Sequence, residues 1–276
     1  MSINYDPQTV EEFGNEWTRF DHSEINQQEL EQSFASYFAC FPWEQLLPNA
    51  VGFDLGCGSG RWAKLVVGRV GKLYCIDASA VALAVAKKNL AFANNVELME
   101  ASVEQIPLPD QSMDFGYSLG VLHHAPDTAA GIKSCVGKLK PGAPLLIYLY
   151  YAFDNRPMWF RPIWKLTDLV RGVISQLPFP LKYRVCQIIA ALLYFPLARL
   201  AWIAEKMVGN VDAFPLSWYR NLSFYAMRND ALDRFGTKLE QRFTKAQIHQ
   251  MMEAAGLERV VFSEQQPYWC AVGYKA

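Results

Sequence analysis

The chain has 276 residues, a formal net charge of −1, 51% hydrophobic and 14% aromatic residues. That hydrophobic content excludes a disordered chain, and the near-zero charge gives no global basic field to recommend a nucleic-acid partner. The six cysteines, at 40, 57, 75, 135, 186 and 270, include no C-x-x-C pair and read as reduced thiols of a cytoplasmic protein.

The opening MSINYDPQTVEEFGNEW has neither a basic n-region nor an apolar h-region, so no secretory signal is expected. Residues 1–45 are polar and aromatic, and 26–41 predict a helix. Residues 51–56 predict a short strand ending in a glycine loop, and 60–69 the first helix of an α/β unit. A second strand is expected over 72–79, an Ala-rich helix over 80–94 closed by Asn94–Asn95, a third strand over 96–102 and a fourth over 113–120. A helix over 128–143, stopped at Pro141–Gly142, precedes a fifth strand over 144–151. Near the end, 244–256 predict a helix with Thr244 as N-cap and Gly256 just past its C-terminus. Residues 257–264 and 268–276 then read as an antiparallel pair joined by a short link. Strands alternating with helices imply a doubly wound α/β fold, a mostly parallel sheet whose ligands sit at the carboxyl ends of the strands.

The glycine loop reads V-G-F-D-L-G-C-G-S-G-R-W over 51–62. Its glycines, Gly56, Gly58 and Gly60, follow G-x-G-x-G, whereas the dinucleotide fingerprint needs G-x-G-x-x-G. Arg61 occupies the position of the third dinucleotide glycine, which opposes a nicotinamide oxidoreductase. No G-K-[ST] follows, so the phosphate-loop pattern also fails. Asp54, two residues before the first glycine, would repel a pyrophosphate but suits a cationic ligand bearing an amino group. Asp77 ends the second strand, 17 residues beyond Gly60, where a carboxylate can accept from both ribose hydroxyls of an adenosine.

The combination resembles motif I of the class I S-adenosylmethionine-dependent methyltransferases, [DE]-x-G-x-G-x-G. Residues 100–127, EASVEQIPLPDQSMDFGYSLGVLHHAPD, resemble the corresponding stretch of the ubiquinone/menaquinone-biosynthesis (methyltransferase type 11) small-molecule group. The helix followed by an antiparallel final pair resembles the ending of that family's sheet. The resemblance runs over about 50–150 and, more weakly, 244–276. It implies a seven-stranded sheet with an antiparallel last strand, S-adenosyl-L-methionine as cofactor, and in-line methyl transfer. The cofactor residues it implies are Asp54, Gly56, Cys57, Gly58, Gly60, Asp77, Ala78, Ser102, Val103 and Leu119. Ser102 stands where the family usually carries an Asp. Trp17, with Phe20, is the aromatic residue expected to lie across the cofactor from the N-terminal segment. No [ND]-P-P-[FYW] tetrapeptide ends the fourth strand, which argues against nucleic-acid amino groups as acceptors.

His123 and His124 have two readings: a general base beside the transferred methyl, or a structural opening to the next helix. Between the fifth strand and the last helix lie over 90 residues, where the bare topology needs about one helix. From 151 to 220 there are nine Lys/Arg against four Asp/Glu, a net +5 that leaves −6 for the rest, and thirteen aromatic residues. The apolar stretch 185–204 has a longest charge-free run of 14 residues containing Pro196, short of the roughly 18 a spanning helix needs, so it is not expected to span. Three readings of the insertion stand open: a helical cap over an apolar substrate pocket, a peripheral membrane contact through 151–220, or a dimer interface. Within 219–243, Asp233 and Arg234 are the first candidates for ordering an acceptor. The sequence thus predicts an N-terminal lid (1–45), a cofactor domain (46–150 and 244–276) and a cap insertion (151–243). No metal site is expected. The predicted reaction is methyl transfer to a small, partly apolar acceptor, with no nucleic-acid partner. Its rivals are a methyltransferase on a lipid-linked or protein acceptor at a membrane surface, and a cofactor-binding protein without chemistry.

Overall fold

The computed structural model describes residues 4–22 and 25–276. Helices α1 (Pro7–Arg19) and α2 (Gln27–Tyr37) precede β1 (Val51–Leu55), α3 (Ala63–Val66), β2 (Lys72–Asp77), α4 (Ala80–Asn89) and β3 (Val96–Glu100). Then come β4 (Phe115–Leu119), α5 (Thr128–Lys138) and β5 (Pro144–Tyr148). Four helices follow, α6 (Phe160–Ile174), α7 (Phe179–Ile189), α8 (Phe195–Val208) and α9 (Phe224–Gly236). The chain ends on α10 (Lys245–Ala254), β6 (Leu257–Phe262) and β7 (Cys270–Lys275).

The chain divides into two compact units. The first comprises the described residues of 1–23 with 30–152 and 239–276; the second comprises the described residues of 24–29 with 153–238. The first unit is built on the expected seven-stranded sheet, in the order β3-β2-β1-β4-β5-β7-β6. Strands β3, β2, β1, β4 and β5 pair in parallel, and β7 is antiparallel to both β5 and β6. The central strands β4 and β5 are buried along their whole length, which is why they read as apolar runs rather than alternations. Thr244 closes a capping box with Gln247 at the start of α10, and Gly256 follows that helix at φ 93°.

The centre of the sheet is held by a reciprocal interlock. Gly52 pairs with Phe115 and Phe53 with Gly116 across β1 and β4, and both phenylalanines are fully buried. A methyl group on Gly52 would lie 2.3 Å from the Phe115 ring, and one on Gly116 would lie 2.3 Å from the Phe53 ring. Each glycine is the space its neighbour's ring occupies. Aromatic residues after the first helix extend this core. Phe34 and Phe38 stack at 4.3 Å, Phe38 meets Tyr117 edge-on at 5.3 Å, and Phe41 meets Phe115 at 6.1 Å. The predicted helix at 26–41 is therefore docked on the sheet from residue 30 onward.

Several elements differ from the sequence expectation: α2 ends at Tyr37 rather than 41 and α5 at Lys138 rather than 143. The helix after the glycine loop is α-helical only over Ala63–Val66 and tightens into a 3₁₀ turn at Val67–Arg69, because the chain must return to β2 at Lys72. α4 ends at Asn89 rather than 94. Asn95 does not close it: its side chain donates to Val67 O and Val70 O, both at 2.9 Å, and so stitches the turn before β2.

A further difference lies in the second unit. Pro196 does not interrupt the apolar stretch. α7, a π-helical turn at Ala190–Tyr194 and α8 run together as one helix, Phe179–Val208, of 30 residues. It contains an 18-residue window of mean hydropathy 1.6, of which 28% is buried. By length and composition this helix is long enough to cross a membrane, contrary to the estimate from charge-free runs alone. The π turn widens the backbone just before Pro196, relieving the clash that a proline makes with the carbonyl four residues back. α9 packs against α6, α7 and the π turn. Two cations close its C-terminus, where unpaired carbonyls concentrate negative charge. Lys182 Nζ donates to Gly236 O at 2.7 Å, and Arg171 donates to Thr237 O and Lys238 O, each at 3.1 Å.

The interlock sets a test of the core. Gly52→Ala and Gly116→Ala should each destabilise the protein by about 1–3 kcal/mol through overpacking, read as a lower urea midpoint. Gly68→Ala, with nothing within 4 Å of the added methyl, should stay within about 0.5 kcal/mol of the parent. Equal effects at all three positions would contradict the interlock.

Candidate active site

β1 brings the chain to the carboxyl edge of the sheet and releases it at Leu55 into the glycine loop. The loop hangs on β2: the amides of Gly56 and Cys57 both donate to Ile76 O, at 2.7 and 3.1 Å, and the Gly60 amide turns back to Cys57 O at 2.8 Å. Gly58 excludes a side chain twice over. Its φ is 54°, and a methyl there would lie 2.9 Å from the Trp17 indole. Trp17, expected to lie across the cofactor, packs against Gly58 of this loop. Phe20, three residues on, is buried in the core instead.

Asp77 fixes the loop from the neighbouring strand. Its Oδ2 accepts the Gly58 amide at 2.8 Å and its Oδ1 the Ser79 amide at 2.9 Å, while Ser79 Oγ caps α4 by accepting the Ala82 amide at 3.3 Å. Burial pushes the Asp77 carboxyl above the usual carboxylate range, and the amides of Ser79, Gly58 and Ala78 pull against that shift. These contacts leave lone pairs on both oxygens for ribose hydroxyls.

Asp54 lies between Cys75 of β2 and Tyr117 of β4 and is 2% exposed. Burial raises its pKa to about 8; the Tyr117 hydroxyl draws it down, Asp77 raises it and Arg61 lowers it. Its Oδ2 is buried without a hydrogen-bond partner. A cationic amino group would satisfy that oxygen, and the side-chain-free glycine loop, tied to the Asp77 carboxylate, follows β1 directly. The residues present fit S-adenosylmethionine.

His22 completes the loop's surroundings, with Nδ1 2.7 Å from Ser59 Oγ and Nε2 3.5 Å from an Arg61 terminal nitrogen. Nothing in sequence spacing links residue 22 to residue 59, so it was not legible beforehand. Tyr117 was missed for the same reason, since its register against Asp54 is set by the fold.

The remaining expected residues fall as follows. Ala78 follows β2. Ser102 lies two residues past the end of β3, where the Ala101 amide donates to Asp77 O at 3.0 Å. Val103 packs toward Gly131 of α5. Leu119 ends β4 and is buried. His123 and His124 form a buried 3₁₀ turn after β4. His123 stacks on Tyr150 at 3.9 Å, and its carbonyl accepts the Gln241 amide at 3.0 Å. His124 Nδ1 lies 2.6 Å from Leu239 O; because a carbonyl can only accept, Nδ1 carries the proton and the lone pair of the neutral ring falls on Nε2. Phe13 meets His124 edge-on at 4.8 Å, and Tyr37 meets Tyr148 edge-on at 5.0 Å. Asp233 and Arg234 lie on α9 of the second unit. Arg234 pairs there with Asp230 at 3.0 Å, and Tyr194 donates to the same carboxylate at 3.0 Å. Among the described residues no group of His, Cys, Asp and Glu could hold a metal ion.

Sheet order, glycine loop and paired acidic residues define the Rossmann-like fold of the class I methyltransferases. Residues 53–147 match the family described as "Methyltransferase domain", and this segment of the chain is a domain of that S-adenosylmethionine-dependent family. Among curated proteins, a probable S-adenosylmethionine-dependent methyltransferase of Mycobacterium tuberculosis is 27% identical over 108 residues, 38% of each chain. A malonyl-[acyl-carrier protein] O-methyltransferase of Serratia marcescens is 28% identical over 159 residues, 58% of each chain. The chain thus spans between 38% and 58% of the length of these relatives. A magnesium protoporphyrin IX methyltransferase of Synechocystis, solved with S-adenosylhomocysteine, shares the fold with a TM-score of 0.54 at 15% identity, over 95% of this chain and 94% of that one.

Asp54 sets a proton-linkage test. At pH 7 a carboxyl with a pKa of about 8 is protonated, and pairing with a cationic amino group requires it to ionise. Calorimetric titration with S-adenosylmethionine in buffers of different ionisation enthalpy should show release of about one proton near neutral pH, vanishing above about pH 9. Asp54→Asn should remove the release. Tight binding with no proton release by the parent would contradict the assignment. In the free protein the sign reverses for stability. The unfolded carboxyl ionises near about 3.9 while the folded one holds its proton, so stability falls as pH rises from about 4 to about 8, and Asp54→Asn flattens that fall.

Proposed function

We propose that the protein transfers the methyl group of S-adenosylmethionine to a small, partly apolar acceptor. The observation that carries the acceptor class is the aromatic wall at the carboxyl ends of β4 and β5, where His123, Tyr148 and Tyr150 are all buried and Tyr148 and Tyr150 lie 6.0 Å apart. Flat apolar side chains there favour an acceptor with an apolar body. The Serratia relative, named for a malonyl-[acyl-carrier protein] acceptor, supports an acceptor with an acyl body.

When bound, the sulfonium would supply a methyl carbon that an acceptor lone pair attacks in line, the new bond to the methyl forming as the sulfur–methyl bond breaks and S-adenosylhomocysteine leaves. The chain's own residues position the partners, which is most of what such a displacement requires. Asp77 and the glycine loop hold the nucleoside end. Asp54 holds the amino group, and Trp17 covers the loop. For an acceptor that must lose a proton the base proposed is His124, whose tautomer Leu239 O sets by accepting from Nδ1.

The test incubates the protein with methyl-labelled S-adenosylmethionine and a pooled panel of hydroxylated and carboxylated aromatic and acyl compounds. Label should pass into an organic-extractable product. His124→Gln should lower kcat by about a hundredfold or more while cofactor affinity stays within about threefold. Bound cofactor with no label transferred, or label found only on protein or nucleic acid, would overturn this reading.

A further inference from the structure

The second unit draws several polar side chains in among its helices, beside a buried apolar interior, and leaves a large apolar surface outside. α9, packed against α6, α7 and the π turn, directs charged groups inward among them. Arg228 donates to Tyr183 Oη at 2.9 Å and also reaches Gln187, Arg234 pairs with Asp230, and Lys182 is 3% exposed. The outward faces of the surrounding helices are apolar. On α6 and its cap, Trp159, Ile163, Leu166, Leu169, Val170 and Val173 recur every three or four residues and are all exposed, Leu169 at 71%. On the long helix Ile188, Leu192, Leu200, Ile203 and Met207 are exposed, Leu192 at 75% and Met207 at 79%. Apolar exposure on this scale marks an interaction surface.

The charges on this exterior point to its occupant. Between Phe160 and Val208 there are seven Lys/Arg and two Asp/Glu. Both acids are already engaged, Asp168 by Arg171 and Glu205 by Arg220. Arg161, Lys165, Arg184 and Lys206 are exposed with no ion-pair partner among the described residues. Trp159 and Trp202 are exposed too, and Lys206 lies 3.4 Å above the Trp202 ring. Tryptophan beside basic residues on an apolar face suits the headgroup level of a bilayer.

We propose that the outward faces of α6 and of the Phe179–Val208 helix dock on an anionic lipid bilayer, the helices lying in the interface plane rather than spanning it. Thirty residues of helix extend about 45 Å, enough to cross the roughly 30 Å hydrocarbon layer. Spanning, however, would carry α9, which packs along α7 and the π turn, into the hydrocarbon with Arg228, Asp230 and Arg234, each a costly passenger there. Lying flat leaves α9 above the surface and sinks only the apolar side chains. A second copy of this chain is the poorer occupant, since a two-fold interface would set the unpaired cations of one copy against those of the other.

The proposal rests on the second unit alone and stands whether or not the first unit transfers methyl groups. The test floats the full chain, without methyl donor, on vesicles of phosphatidylglycerol and phosphatidylcholine in equal parts, and on phosphatidylcholine alone. The protein should rise with the anionic vesicles at about 0.1 M salt, and partitioning should fall at least about tenfold at 0.5 M salt or on neutral vesicles. Leu166→Glu/Leu169→Glu, at two exposed positions, should keep the parent's circular dichroism and thermal midpoint yet stay with the soluble fraction. Three results would each overturn the proposal: no flotation on either vesicle, flotation unchanged by the double substitution, or resistance of the bound protein to an alkaline carbonate wash. A salt-insensitive dimer that ignores vesicles and dissociates on the double substitution would assign the face to a second copy instead.

Discussion

The site depends on one carboxylate. Asp77 accepts the Gly58 amide with one oxygen and the Ser79 amide with the other, and so ties the loop after β1 to the helix that follows β2. Both tied segments begin at the carboxyl ends of parallel neighbours, which only a parallel sheet places side by side. The loop's positive-φ glycines, whose amides bond Ile76 O, Asp77 Oδ2 and Cys57 O, then keep a side-chain-free floor under Trp17. Take away the parallel pairing of β1 with β2 and no cradle remains. Asp54, one strand position before Leu55, acquires its unusual protonation from the same arrangement, because β2 and β4 close over it on both sides.

The two units differ at their surfaces. In the first, glycines and phenylalanines interlock to bury the sheet's centre, and polar groups gather at one edge. In the second, Lys182 and Arg171 close α9 beside a buried apolar interior, while leucine, isoleucine and valine also face out among unpaired cations. Apolar exposure on this scale is what the proposed docking on an anionic bilayer would cover.

Much of the fold was legible in the sequence because its signals are local and reinforce one another. The strand–loop–helix order, the glycine spacing, Asp77 at a strand end and the Thr244 cap each rest on residues near one another in the chain. The failures have a common physical cause. Asn95 resembles a helix stop, but tertiary hydrogen bonds to Val67 and Val70 claim it. Pro196 resembles a helix break, but a π turn absorbs it, and counting charge-free residues therefore understated the helix. His22 and Tyr117 belong to the site through contacts across 37 residues to Ser59 and across a strand pairing to Asp54, and no spacing rule reports such contacts. The histidine pair was visible, but the tautomer of His124 follows only from its placement against Leu239 O.

The central claim, that the glycine loop with Asp77 and Asp54 holds S-adenosylmethionine, is tested most directly by calorimetric titration of S-adenosylmethionine and of NADH into the purified protein and its Asp77→Ala variant. The account predicts saturable binding of S-adenosylmethionine alone, lost or weakened at least about tenfold in the variant while the urea midpoint shows the fold retained. Failure of the parent to bind S-adenosylmethionine, or binding of NADH at the same site, would contradict it.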